Sequence, residues 1–115
     1  MKNINHLRLL SNEKEAIREA TSLLKDKFHI KEVILFGSKA RGDSDPESDI
    51  DLLLLTTTSL HWKDRHAIVD ALFELEMKHD VVIGIVVNTL TDWNEGVCTI
   101  LPLHKEISRE GVAMQ

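Results

Sequence analysis

The chain has 115 residues, 43% of them hydrophobic and 29% charged, with a formal net charge of −5. That is the length of one ordinary domain, able to bury a core without disulfide or metal staples. The acidic balance excludes a dedicated DNA-binding module, which carries a basic face, but not nucleotide binding, where a metal ion can supply the positive charge.

The single cysteine, Cys98, permits no intrachain disulfide or thiolate metal site and suits a reducing compartment. Met1 to Glu15 lacks the apolar stretch of a leader peptide. The longest apolar run, Ile50 to Leu55 interrupted by Asp51, is far too short to span a bilayer. A cytoplasmic protein is expected, one domain over residues 1–115, with no membrane contact.

In chain order, residues 12–28 predict an amphipathic helix. Asn12 and Glu15 have the spacing of a capping box, and Ala16, Ile17, Ala20, Leu23, Leu24 and Phe28 recur at helical intervals. Val33 to Phe36 is a short apolar run closed by Gly37, the pattern of a buried strand running into a sharp turn. Residues 39–48 are polar, with Gly42 and Pro46 as breakers, and predict a helical turn followed by a loop. Ile50 to Leu55 predicts a second strand, whose continuous apolar character requires cover on both faces. Residues 60–79 predict a second long helix, with Leu60, Ala67, Ile68, Ala71, Leu72 and Leu75 on one stripe. Val81 to Val87 predicts a third strand, and short helices are expected at 91–95 and 103–109. The sum is an α/β (α+β) fold: a small mixed sheet of three or more strands flanked by helices.

Two features stand out from this background. Gly37-Ser38 lies where a buried strand gives way to a turn; glycine lets backbone approach a ligand, and N–H groups opening a helix attract phosphate. Asp49-Ile50-Asp51 opens the second strand, and alternation puts Asp49 and Asp51 on one face. Two carboxylates side by side repel each other, and burial sharpens the conflict. Oxygen ligands that leave room for water and phosphate suit Mg²⁺. The six histidines show no ligand spacing, and Trp62 and Trp93 read as packing residues.

The run from Phe36 through Gly37-Ser38-Lys39-Ala40-Arg41-Gly42-Asp43, continued by Ser48-Asp49-Ile50-Asp51-Leu52, resembles the signature of the polymerase-β-like nucleotidyltransferase superfamily. More narrowly, it resembles the minimal nucleotidyltransferases of bacteria and archaea. The resemblance implies a nucleoside triphosphate, expected to be ATP, with its phosphates on Gly37 and Ser38. It implies Mg²⁺ on Asp49 and Asp51, and a third carboxylate on a later strand that helps activate the acceptor. Two ions about 3.5–4 Å apart would then stabilise both the attacking and the leaving oxygens. Asp80 is the candidate for the third carboxylate, because it opens the expected third strand and shares a face with Val82, Gly84 and Val86. A solvated residue after the helix is the other reading of Asp80. Gly84 either leaves room for a nucleotide or marks a bulge or close strand packing. Arg41 either reaches a phosphate or pairs with a neighbouring acid, and Lys39 is either a phosphate neighbour or, as expected here, solvated.

Minimal nucleotidyltransferases are paired with small helical proteins of the HEPN type in toxin–antitoxin systems. The resemblance therefore implies an antitoxin that transfers AMP to such a partner. A module that neutralises the partner by binding alone is the alternative, and transfer to a small molecule is a third. Residues 89–115 carry no motif that bears on the choice.

Overall fold

The computed structural model describes residues 7–42 and 48–115. The elements run α1 (Ser11–Lys27), β1 (Glu32–Phe36), α2 (Ser38–Arg41), β2 (Ile50–Thr56), α3 (Trp62–His79), β3 (Ile83–Thr89), α4 (Leu90–Glu95), a 3-10 turn (Val97–Ile100), α5 (Pro102–Glu110) and β4 (Val112–Met114). Asp43 and Pro46, from the predicted loop, lie outside the described residues.

The four strands form one sheet in the order β3-β2-β1-β4. β1 is antiparallel to both β2 and β4, while β2 and β3 are parallel. A parallel pair cannot be joined by a tight turn, so α3 makes the crossover between them. The sheet is thus mixed, as expected, and its four strands fall within the three or more expected, β4 being the one the chain-order reading did not place.

Both faces are covered, which is why β2 is leucine throughout its middle. Leu52 and Leu54 pack with Ala16, Ile17, Ala20 and Leu24 of α1 and with Ile68 and Leu72 of α3. Leu53 and Leu55 pack on the other face with Trp93 of α4 and Ile107 of α5. Burying each of these four leucines contributes about 2 kcal/mol relative to exposure.

The first helix starts earlier than the Asn12/Glu15 spacing predicted. Glu13 Oε1 accepts the Leu10 N–H at 2.8 Å, so Glu13 closes the first turn. Asn12 instead donates from Nδ2 to the His79 carbonyl at 2.9 Å, capping the end of α3.

The third strand starts later than predicted. Asp80 adopts left-handed backbone, φ 55° and ψ 53°, and terminates α3 with its N–H on the Glu76 carbonyl. The Val81 N–H bonds to the same carbonyl, and the Ile83 N–H donates to Glu76 Oε2 at 3.2 Å. Glu76 therefore holds the helix exit, and regular pairing with β2 begins only at Ile83.

Candidate active site

The site forms where β1 and β2 end side by side. Phe36, the last residue of β1, stands opposite Asp51 in the antiparallel register. Gly37 then turns the chain at φ 77° and ψ −159° into α2, in backbone that L side chains rarely adopt. Gly37 also meets Asp51 directly. A Cβ at residue 37 would lie 2.5 Å from Asp51 Oδ2, so only glycine fits on both counts.

On its other side Asp51 faces β3. The parallel register pairs Asp51 with Gly84, and a Cβ there would lie 3.2 Å from Asp51 Oδ1. One carboxylate is thus seated between two glycines, Gly37 in the turn after β1 and Gly84 on β3. Nothing else among the described residues comes within 4 Å of that position, so Gly84 makes room for the Asp51 carboxylate itself.

Asp51 is half-buried, and Asp49, the residue two before it, is exposed just outside the strand. Alternation gives the two acids the face shared by Leu53 and Leu55. Burial pushes the Asp51 carboxyl above the usual carboxylate range, the Asp49 charge pushes it further the same way, and Arg41 opposes them. A half-desolvated acid beside a second acid is an oxygen donor set that a hard divalent cation would relieve. The residues present fit Mg²⁺.

Lys39 corrects an expectation. The sequence placed it in solvent; in the fold it is 1% exposed and ion-paired with Glu13, which is itself buried. The same Glu13 carboxylate takes the Leu10 N–H, so α1 and the turn after β1 are fastened together at a buried ion pair. A lysine is fully buried only when paired, and here the partner is supplied by a distant helix.

Arg41 has an acid neighbour. Its Nη1 lies 3.4 Å from Glu110 Oε2 at the end of α5, and Arg109 approaches the other Glu110 oxygen at 3.3 Å. Glu110 joins the edge of the site and was missed by sequence reasoning. It lies 69 residues from Arg41, and nothing near it in the chain marks it.

Asp80 does not join the site. It is exposed in the turn after α3, three residues short of β3, rather than opening that strand. Among the described residues, no three His, Cys, Asp or Glu side chains come together to hold a metal, so Asp80 does not complete a set with Asp49 and Asp51. The β3 residue that faces Asp51 is glycine. Trp93 is buried against the His104 ring at 4.4 Å between centroids, as a packing residue should be, whereas Trp62 is 67% exposed.

No helix among the described residues is long and apolar enough to cross a membrane.

Comparison with known proteins agrees with this geometry. Residues 18–97 match the family described as polymerase beta, nucleotidyltransferase. Two Methanocaldococcus jannaschii proteins are similar along much of their length. "Putative protein adenylyltransferase MJ0604" is 35% identical over 87% of this chain and 95% of its own. "Putative protein adenylyltransferase MJ0141" is 38% identical over 64% of this chain and 73% of its own. Among solved structures, one described as a "putative minimal nucleotidyltransferase" superposes with a TM-score of 0.61 at 27% identity, covering 93% of this chain and 99% of that one. A toxin–antitoxin crystal structure with AMP-PNP shares the fold, with a TM-score of 0.60 at 21% identity over 90% of this chain and 72% of that one. The chain belongs to the polymerase-β nucleotidyltransferase family, in its minimal form.

Proposed function

We propose that this protein transfers AMP from ATP to a hydroxyl of a partner protein, with Mg²⁺ held by Asp49 and Asp51. The observation that carries the reading is the seat of Asp51 between Gly37 and Gly84, directly beside the Gly37-Ser38 turn. The names of the M. jannaschii relatives support a protein as the acceptor. The toxin–antitoxin neighbour with AMP-PNP supports a nucleotide and a toxin as the two partners, and the sequence resemblance implies a helical toxin of the HEPN type.

In this reaction the acceptor oxygen attacks the α-phosphorus, the bond to pyrophosphate breaks, and pyrophosphate leaves. Bound Mg²⁺ would neutralise charge on the phosphates during that displacement. Gly37 keeps side chains away from the turn so that phosphate can approach the backbone, and Ser38 offers a hydroxyl next to it. Asp49 and Asp51 would hold the cation. Arg41, paired with Glu110, ends the short helix that Gly37 opens and would offer its guanidinium to a phosphate there.

A second reading is favoured by one observation. Gly84 stands in register with Asp51 where a carboxylate on β3 would face the pair. A chain without that group can hold nucleotide yet transfer slowly, and would then neutralise its partner by binding. Incubation of protein and partner with Mg-ATP, followed by intact-mass measurement of the partner, separates the two. A mass gain of one AMP supports transfer; neutralisation with an unchanged mass supports binding alone.

A further inference from the structure

Lys39 and Glu13 are the two charged residues that the fold buries among the described ones, and no step of the proposed transfer uses them. Lys39 follows Ser38 in the single turn of α2, and Glu13 comes from the first turn of α1. A buried ion pair contributes little net stability, because desolvating two charges offsets most of their attraction. Apolar side chains of similar size would fill the core as well. What the pair adds is direction. Two buried, oppositely charged groups have one favourable geometry, whereas two apolar side chains can slide past each other.

The turn it fastens has little else to fix its place. With four residues, α2 is far below the length at which a helix holds itself, and Gly37 offers it no side-chain cap. The Ala40 and Arg41 N–H groups donate to the Gly37 carbonyl at 3.1 Å, and the Gly42 N–H donates to the Ser38 carbonyl at 2.9 Å. All three bonds lie inside the turn, so they shape it without locating it. Its location comes from Ala40, packed into the same core cluster as α1, and from the Lys39–Glu13 pair. Glu13 is itself held in place, because its Oε1 accepts the Leu10 N–H at 2.8 Å.

The tolerance at the other end of the turn is narrow. Gly37 abuts the Asp51 carboxylate so closely that a Cβ there would lie 2.5 Å from Oδ2. A shift of α2 that carries Gly37 with it therefore disturbs the phosphate turn and the seat of Asp51 together.

We infer that Lys39 and Glu13 are positioning residues: their buried ion pair sets the Gly37-Ser38 turn against Asp51 at the spacing a Mg²⁺-bound triphosphate requires. The nucleotide in this inference rests on the proposed function; the positioning is a property of the free chain.

Lys39→Met with Glu13→Leu tests it, since the double variant strands no charge and keeps the bulk of both side chains. Hydrogen exchange without nucleotide should show the Ala40, Arg41 and Gly42 amides opening about tenfold faster than in wild type, measured against the amides of β2 in the same sample. Calorimetric titration with Mg-ATP, well below the thermal midpoint, should show affinity lower by about ten- to a hundredfold. Ile68→Val, a core truncation on α3, is the control: it should lower the midpoint and leave both readouts as in wild type. Wild-type affinity in the double variant overturns the inference, as does an equal loss of affinity in Ile68→Val. Lost affinity with unchanged exchange also overturns it, and makes Lys39 a direct ligand of the nucleotide. If wild type binds no Mg-ATP, the proposed function fails and exchange alone decides: faster opening of the turn supports the positioning, and unchanged opening overturns it.

Discussion

Asp51 on β2 and Gly84 on β3 face each other across the parallel pair, and a Cβ at residue 84 would lie 3.2 Å from Asp51 Oδ1, a contact that a shift of a few tenths of an ångström relieves. The acid that family resemblance leads one to expect on a later strand is therefore not opposite Asp51. Gly84→Asp should add a third oxygen ligand next to Asp49 and Asp51. The expected outcome is a lower thermal midpoint in chelator, because three acids then crowd one face, and Mn²⁺ binding tighter by about tenfold. Gly84→Ala is the control for the added Cβ, and should lower the midpoint without tightening the metal.

Lys39 and Glu13 predict an energetic asymmetry. Removing one member of a buried ion pair strands the other charge, so Lys39→Met should destabilise the fold by about 3–5 kcal/mol. Lys39→Met with Glu13→Leu removes both charges and should recover much of that loss, less the share Glu13 contributes by accepting the Leu10 N–H. Urea denaturation of the two variants checks this, with near-equal losses as the contrary result.

The raised Asp51 carboxyl gives a pH dependence with a definite sign. The folded chain holds this proton more tightly than the unfolded chain, whose Asp value is 3.8. Stability from this group is therefore fully present below that pH and declines as pH rises through the higher folded value. Asp51→Asn, which cannot ionise, should melt higher than wild type at neutral pH in chelator. The advantage should vanish near pH 3, where both side chains are neutral. Thermal scans across pH measure it.

Asp80 yields a prediction opposite to the one its place in the sequence suggested. It sits in left-handed backbone at the end of α3, where glycine is the least strained residue. Asp80→Gly should stabilise the fold by about 1 kcal/mol and leave nucleotide affinity and transfer unchanged. A loss of transfer would return Asp80 to the active site.

Much of the fold was legible because hydrophobic period is a local signal. Ile50 to Leu55, apolar but for Asp51, announced a strand covered on both faces, and the Gly37 break announced the turn. The paired acids were legible for the same reason, since strand alternation alone puts Asp49 and Asp51 together. What failed depended on distant partners. Val81 and Val82 look like strand, but Glu76 and the left-handed Asp80 hold that segment in the helix exit. Lys39 looks like surface until Glu13 arrives from α1 to neutralise it. The three-residue β4 has too little sequence to declare itself, and forms because β1 offers a free edge.

The central claim is that Asp49 and Asp51 join a nucleoside triphosphate to this chain through Mg²⁺ at the Gly37 turn. Calorimetric titration of ATP into wild type, Asp49→Asn and Asp51→Asn, each with Mg²⁺ and with excess chelator, tests it most directly. Wild type should bind in Mg²⁺ and lose most of its affinity in chelator, while both variants should bind weakly under either condition. Equal affinity of wild type with and without Mg²⁺, or full Mg²⁺-dependent affinity in both variants, would contradict it.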